Sequence, residues 1–523
     1  MYKRRDNSIA YTDEKVEYVK KLLENKVTVH VTTASRMMCE HFGIEYNEEI
    51  GRTYRNKFKQ DLELVNTVSY IRAKERRLPE SRFYLLTSAQ NSTPVHKGLL
   101  KNMEALVEHI GDCSLGVIAS RYRNPSLYDE GLKENYWDDS LDEYLIASRM
   151  ELFTDFVVGA DVRIPYTTNR PVQNAKRMCK DYSFVVGHPK QDMEAMPMLD
   201  NTKDKFIMST GSVTLPSNYS DTMAGESGRV NHKMGFLFIE VVDKEKGIFK
   251  AMNIEAMDDG SFDLPNIRVT NNGQIHKYRP SLIDTIVLGD LHVGFHNEEE
   301  LKDSLDFVMS HHPNNVVLHD VLSAESVHRY NINDAFKAYR MMMDGVTIEK
   351  EIEDAIDMIK DIADMTHNVI IPSSNHHYIL ENWVKNYSWK SSLINAEKYM
   401  EFSQKLLRGD VSEKGLFGDI VDGENIDGVK TLSYNKSHRI KGVEVGQHGD
   451  KGINGSRGNM NAYDKIGVPH IVGHGHGAKK YGDVIMVGTL SKLRMGYNQG
   501  YSTWRNNVIG VIYNNCKIGY IIK

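Results

Sequence analysis

Five short apolar runs in the last 248 residues each stop at a side chain able to bind a metal ion. Ile286-Val287-Leu288 leads into Gly289-Asp290-Leu291-His292, and Val316-Val317-Leu318 into His319-Asp320. Val369-Ile370-Ile371-Pro372 runs into Ser373-Ser374-Asn375-His376-His377. Val443-Glu444-Val445-Gly446-Gln447 runs into His448-Gly449-Asp450, and His470-Ile471-Val472 into Gly473-His474-Gly475-His476-Gly477. Side chains two apart on an extended chain point the same way, so Asp290 and His292 can reach one ion together. Glu298 to Ser310 reads as a helix between the first two runs. These runs are then parallel neighbours with adjoining C-terminal ends, where open α/β sheets build their sites. One Asp-x-His or His-x-His is weak evidence, because a lone histidine at a strand end is commonly structural. Five in order are not accidental. The bias in composition agrees: of 21 histidines, six precede residue 276 and 15 lie in residues 276–523.

This ordered set resembles the signature of the calcineurin-like metallophosphoesterase superfamily, DxH, GD, GNH(D/E), a lone His and GHxH, over roughly residues 284–523. The resemblance implies a dinuclear site in which Asp290, His292 and His476 hold one ion, Asn375, His448 and His474 hold the other, and Asp320 bridges them. It implies that His376 binds no metal and donates a proton to the leaving oxygen. A shared carboxylate can hold two divalent ions roughly 3.5–4 Å apart, close enough to activate one water and offset phosphate charge. Mixed oxygen and nitrogen ligands suit Mn, Fe or Zn better than Ca, with Mg also open; manganese is the first choice, mainly from the resemblance. Two blocks depart from the pattern. His319 replaces the glycine before Asp320, and His377 stands where an acidic residue commonly orients the catalytic imidazole. Either another carboxylate substitutes or His376 is held differently. His296 and His328 are phosphate contacts or ordinary loop residues.

The expected fold is α/β in three parts. Residues 276–523 form a metallophosphoesterase β-sandwich flanked by helices, and 81–275 an α/β domain of unassigned role. Residues 1–80 form a small helical module, with helices after Thr12, after Thr32-Thr33-Ala34-Ser35 and from Glu48 to Phe58. That module reads as a helix-turn-helix DNA-binding unit or as a trihelical assembly unit. In the middle part, Phe83-Tyr84-Leu85-Leu86, Leu115-Gly116-Val117-Ile118, Phe156-Val157-Val158, Phe184-Val185-Val186 and Phe236-Leu237-Phe238-Ile239 read as strands, and Lys97 to His109 as a helix. Ser217 to Asn231 reads as a loop. Strand, helix and strand from Leu85 to Ser120 share the layout of Val287 to Asp320 without the acidic and imidazole positions, a faint sign of duplication.

Charge and composition narrow the function. With 71 acidic against 65 basic residues, the net charge of −6 excludes a uniformly basic nucleic-acid coat. Residues 1–80 nevertheless hold 16 basic and 13 acidic side chains, a local +3. Four separated cysteines give no disulfide framework and no CxxC metal site. No apolar run reaches membrane-spanning length and no secretory leader is evident, so a cytoplasmic protein without a membrane partner is expected, in the host cytoplasm if phage-encoded. Arg52, Arg55 and Lys57 on the third helix and Lys479 and Lys480 after the last histidine are candidate DNA contacts. Lys492 and Arg494, interleaved with Tyr481, Tyr497, Tyr501 and Trp504, and the Gly-rich loop Lys451 to Arg457 support the same reading. The whole chain is similar to phage-encoded metallophosphoesterase nucleases that degrade host DNA. That resemblance implies a Mn-dependent DNase acting on DNA, open to homo-oligomer assembly. A phosphatase or cyclic-nucleotide phosphodiesterase is the enzymatic alternative, and a DNA-binding scaffold with a vestigial site the non-enzymatic one.

Overall fold

The computed structural model describes residues 8–24, 31–58, 70, 72–121, 137–199, 203–270, 272–495 and 498–523. Its architecture is mixed α/β, with two large mixed sheets, a small three-stranded antiparallel sheet and helices. Near the start, helices Asp13–Glu24, Val31–His41 and Glu48–Lys57 enclose a small core of Val19, Ala34, Met38, Ile50 and Tyr54. The third begins as its sequence dictates: the Asn47 side chain accepts from Ile50 N–H, followed by Glu48 and Glu49 in the first turn.

The larger sheet has eleven strands. In spatial order they are Val429–Leu432, Asn368–Pro372, Asn315–Val317, Ile283–Val287, Val508–Tyr513, Ile518–Ile522, Ile248–Glu255, Gly235–Asp243, Phe83–Gln90, Cys113–Ser120 and Leu145–Ile146. The second has ten: Arg439–Ile440, Val443–Glu444, His470–Val472, Val484–Met486, Lys479–Tyr481, Met193–Ala195, Phe206–Ser209, Ser183–Val186, Phe156–Val158 and Met150–Phe153. They face each other across one core to which Leu86, Ile118, Val287, Val317 and Ile370 contribute from the first, and Phe156, Val185, Phe206, Ile471 and Ile485 from the second. Adjacent residues on the same strands, such as Ile286, Val316 and Val369, turn outward beneath the helices. Burial on both faces explains why these strands read as unbroken apolar runs rather than alternating ones.

Both sheets cross residue 275, so the middle and C-terminal parts share one sandwich. Each sheet is laid out symmetrically about a central antiparallel pair, Ala251 opposite Ile522 in one and Met193 opposite Lys480 in the other. Outward from each centre the strand directions repeat on the two sides.

One expectation is corrected. The segment from Ser217 to Asn231 carries a helix, Met223–Val230, started by Thr222, whose Oγ1 accepts from Gly225 N–H at 3.2 Å. Gly225 and Gly228 let it lie against Ser220 and Tyr219, where any Cβ would collide, so residues that read as loop formers serve close packing.

Two histidines, buried His188 and half-buried His232, tie this fold to pH. Burial, the dominant effect, pushes His188 down to about 3 and His232 down to about 4. A depressed folded-state value means that stability is complete above the unfolded value near 6.5 and is lost as the pH falls. At pH 5 each should cost about 2 kcal/mol. The Tm should therefore drop steeply between pH 6.5 and 4, less so in His232→Asn; a flat profile in the wild type contradicts this.

Candidate metal centre

Strands Ile283–Val287, Asn315–Val317 and Asn368–Pro372 are consecutive parallel neighbours, and Val443–Glu444 and His470–Val472 are parallel neighbours in the facing sheet. The loops leaving their C-terminal ends meet where the two sheets adjoin. Asp290, His292, Asp320 and His476 offer ligand atoms all within 4.8 Å of one another, as do Asp320, His448 and His474. Asp320 belongs to both groups. His448 Nε2 is 3.1 Å and His292 Nε2 3.8 Å from Asp320 Oδ2, and the Nε2 atoms of His292 and His476 are 3.3 Å apart. His476 Nε2 lies 2.8 Å from Asp290 Oδ2. Asn375 adjoins this group through His376, whose ring meets that of His292 edge-on at 4.4 Å.

Tight local turns bring these side chains inward. His292, Asp320, His474 and His476 all have left-handed φ, between 42° and 67°, a conformation unusual for residues other than glycine and typical of functional sites. Gly473 is needed beside them: a Cβ there would sit 2.3 Å from Asp290 Oδ1 and 2.8 Å from the His319 ring. With that space open, His474 N–H donates to Asp290 Oδ1 at 3.0 Å. Thr489 Oγ1 donates to the Asp290 carbonyl at 2.9 Å and fixes the first loop from the facing side.

Asp290 and Asp320 are fully buried, and among the described residues the basic groups within ion-pair distance of them are histidines only. Burial acts to raise both carboxyls, but the neighbouring imidazoles outweigh it and hold both below the usual carboxylate range. Burial likewise acts to lower His448, yet Asp320 and Asp290 push it up to about 9. The pocket thus attracts positive charge. Oδ1 of Asp320 and Oδ1 of Asn375 are buried without a hydrogen-bond partner. Such orphaned acceptors are rare and costly in folded proteins. Two carboxylates and four imidazoles brought together fit divalent cations, and two overlapping groups sharing Asp320 fit a pair.

His376 is held without an acidic partner. Its Nδ1 bonds the Ser323 carbonyl at 3.0 Å, which leaves Nε2 free to exchange a proton. The Ser323 loop is anchored in turn by Glu351, a buried residue of helix Ile348–Ala363, which accepts from Glu325 N–H at 2.7 Å and from Ser326 Oγ at 2.6 Å. His377 instead braces the Asp320 loop: its Nε2 accepts from Val321 N–H at 3.1 Å, and burial pushes it down to about 3. His319 is buried beside His448, their Nδ1 atoms 3.4 Å apart. His328 stacks on His376 at 5.8 Å. His296 accepts from Gly294 N–H and shapes its own turn. Ser323, Glu351 and Thr489 carried no sequence signal, because each acts through hydrogen bonds to segments distant in sequence.

The candidate DNA contacts divide. Arg52 and Lys57 are exposed and Arg55 half-buried on the third helix. Lys479 is half-buried, 2.8 Å from Glu194, on a cleft of ≈ 360 Å³ beside His474 that also takes in Arg170 and Arg457. Lys480 cannot serve: it is 1% exposed and its Nζ donates to the Gly482 carbonyl, because strand alternation turns it inward from Lys479. Arg494 spends its guanidinium on the carbonyls of Leu199, Asn498 and Gly500. Trp504 packs against His476 at 4.1 Å. Tyr497 and Lys59 lie outside the described residues.

The chain is similar to Protein A1 of Escherichia phage T5, with 27% identity over 465 residues that cover 83% of this chain and 81% of that protein. No protein-family model matches the chain, and no solved structure matches it. Among the described residues no helix is long and apolar enough to cross a membrane.

Two substitutions probe the centre. Excess Mn²⁺ should stabilise the wild type by about 2–3 kcal/mol at a hundredfold excess over Kd, and Asp320→Asn should abolish the gain; an equal gain in the variant contradicts a shared carboxylate. His377→Phe should strand the Val321 N–H and cost about 1–3 kcal/mol in denaturant unfolding. An unchanged midpoint would remove His377 from the bracing role.

Proposed function

We propose that the chain is a dinuclear-metal phosphodiesterase of the calcineurin-like metallophosphoesterase type, a Mn-dependent DNase used by a phage against host DNA. The observation that carries this reading is the meeting of two ligand groups at Asp320, built from four of the five strand ends in the order the sequence set out. Asp290, His292, Asp320 and His476 would hold one ion, and Asp320, Asn375, His448 and His474 the other. Bound divalent ions supply Lewis-acid activation of water and neutralise charge on the phosphate. The protein's own contribution is orientation and proton transfer. With Nδ1–H tied to the Ser323 carbonyl, His376 in its protonated form presents Nε2–H as donor to the departing oxygen, and stacking by His328 limits rotation of the ring.

A nucleic-acid substrate is favoured by what surrounds the centre. The cleft beside His474 is open to solvent and carries Arg170 and Arg457, and the exposed loop Lys451 to Arg457 borders it. Phosphate contacts of this kind position a backbone without reading sequence. Similarity to a phage protein over most of the chain agrees with a phage role in the host cytoplasm.

The test is a substrate panel with Mn²⁺, Mg²⁺ or Zn²⁺. Wild type should degrade DNA with Mn²⁺, Asp320→Ala should be inactive, and His376→Ala should lose about 10²–10⁴-fold in kcat. Turnover of p-nitrophenyl phosphate or a cyclic nucleotide with DNA left intact would contradict the DNase reading in favour of a phosphatase or cyclic-nucleotide phosphodiesterase. DNA binding without turnover would favour a scaffold.

A further inference from the structure

The symmetry of the sheets extends to individual hydrogen bonds. In the C-terminal half, Leu490 N–H donates to Asp290 O, Thr489 Oγ1 donates to the same carbonyl, and Ser491 N–H donates to Thr489 Oγ1. In the N-terminal half, Val213 N–H donates to Ser88 O, Ser212 Oγ donates to the same carbonyl, and Thr214 N–H donates to Ser212 Oγ. The helix that follows is entered alike: Asn297 N–H donates to Leu490 O and Asn297 caps Glu298–His311, while His96 N–H donates to Val213 O and His96 caps Lys97–Ile110. His292 N–H reaches Asp320 O as Asn91 N–H reaches Ser120 O. Strand Ser183–Val186 pairs with Phe206–Ser209 as His470–Val472 pairs with Val484–Met486. The residues that follow are Gly187-His188-Pro189-Lys190 and Gly473-His474-Gly475-His476. Likewise Val158-Gly159-Ala160-Asp161 matches Val445-Gly446-Gln447-His448.

At these matched places the ligands are gone, save one. Ser88 stands for Asp290, Ser120 for Asp320, Asp161 for His448 and Lys190 for His476, while His188 is kept in the place of His474. Both nitrogens of His188 are engaged, Nδ1 accepting from Lys190 N–H at 3.1 Å and Nε2 bonding Pro165 O at 3.2 Å. Asp161 is exposed and paired with Arg149. Strand Leu145–Ile146 runs into Ala147-Ser148-Arg149, with no Asn-His pair. The centre of this second pocket is occupied by Tyr166. It is 1% exposed, its hydroxyl lies 2.8 Å from Ser88 Oγ, and its ring meets His188 and His232 edge-on at 5.6 and 6.2 Å. Among the described residues, the clusters able to hold a metal all lie in the C-terminal half.

We propose that residues 83–255 are a second copy of the unit formed by residues 283–522, that this copy takes no metal, and that Tyr166 cross-links its refilled ligand positions as the ions would in the other copy. The duplication stands on the backbone pairing. Only the assignment of metal to the other copy rests on the proposed function.

The test combines metal counting with hydrogen–deuterium exchange on the full chain, with and without chelator. We expect two Mn²⁺ per wild-type chain, two in His188→Ala and Tyr166→Phe, and loss in Asp290→Asn. Chelation should speed exchange at least tenfold around residues 290–292, 320, 448 and 474–476 and leave 88–91, 120 and 188–190 unchanged. Tyr166→Phe should do the reverse. Four ions per chain, a lower count in His188→Ala, or Tyr166→Phe without effect on the exchange of 88–91 and 188–190 would overturn the proposal. A wild type that takes no metal overturns the proposed function, and the Tyr166→Phe exchange still decides the role of the tyrosine.

Discussion

Two carboxylates, Asp290 and Asp320, are buried together with histidines as their ionic neighbours, and much of the surrounding structure exists to make that tolerable. Removing like charges from water and holding them side by side costs several kcal/mol per group unless positive charge joins them. The imidazoles of His448 and His476 supply part of the compensation and the His474 backbone N–H another part. What remains is Asp320 Oδ1, a buried acceptor without a partner. The left-handed turns at His292, Asp320, His474 and His476 are the backbone cost of aiming so many side chains at one place. Helices and sheets on all sides hold those turns in position.

The same framework is present twice. In each half a pair of sheets brings loop ends together at the strands' C-termini, and in each the meeting point is a polar pocket inside an apolar sandwich. One half meets the problem with acidic and imidazole side chains around an electropositive demand. The other meets it with hydroxyls around a tyrosine, where Tyr166, Ser88, Ser212 and Thr214 bond one another or backbone carbonyls. Joining the halves through central antiparallel strands in both sheets makes a continuous structure, so the metal-free copy also walls the cleft beside His474 with Arg170 and Gln173.

Much of the centre was legible because strands buried on both faces announce themselves as apolar runs, and a polar residue at the end of such a run is conspicuous. Asp290, His292, Asp320, His448, His474 and His476 were found this way, and the structure brings them together. What holds His376 was not legible, since its partner is a backbone carbonyl fixed by Glu351 from a helix 25 residues away in sequence. Lys480 misled because a lysine in a short strand gives no sign of which face it occupies. The duplication showed only as a shared layout from Leu85 to Ser120. With the acidic and imidazole positions replaced, sequence retained little beyond Val-Gly-His at 186–188 and 472–474, and the register of the sheets was needed to align the rest.

The most direct test of the central claim is anomalous diffraction at the manganese edge from crystals grown with Mn²⁺. Two peaks per chain are expected, roughly 3.5–4 Å apart on either side of the Asp320 carboxylate, with none near Tyr166. A single peak, a pair that does not share Asp320, or density at Ser88 and His188 would contradict it.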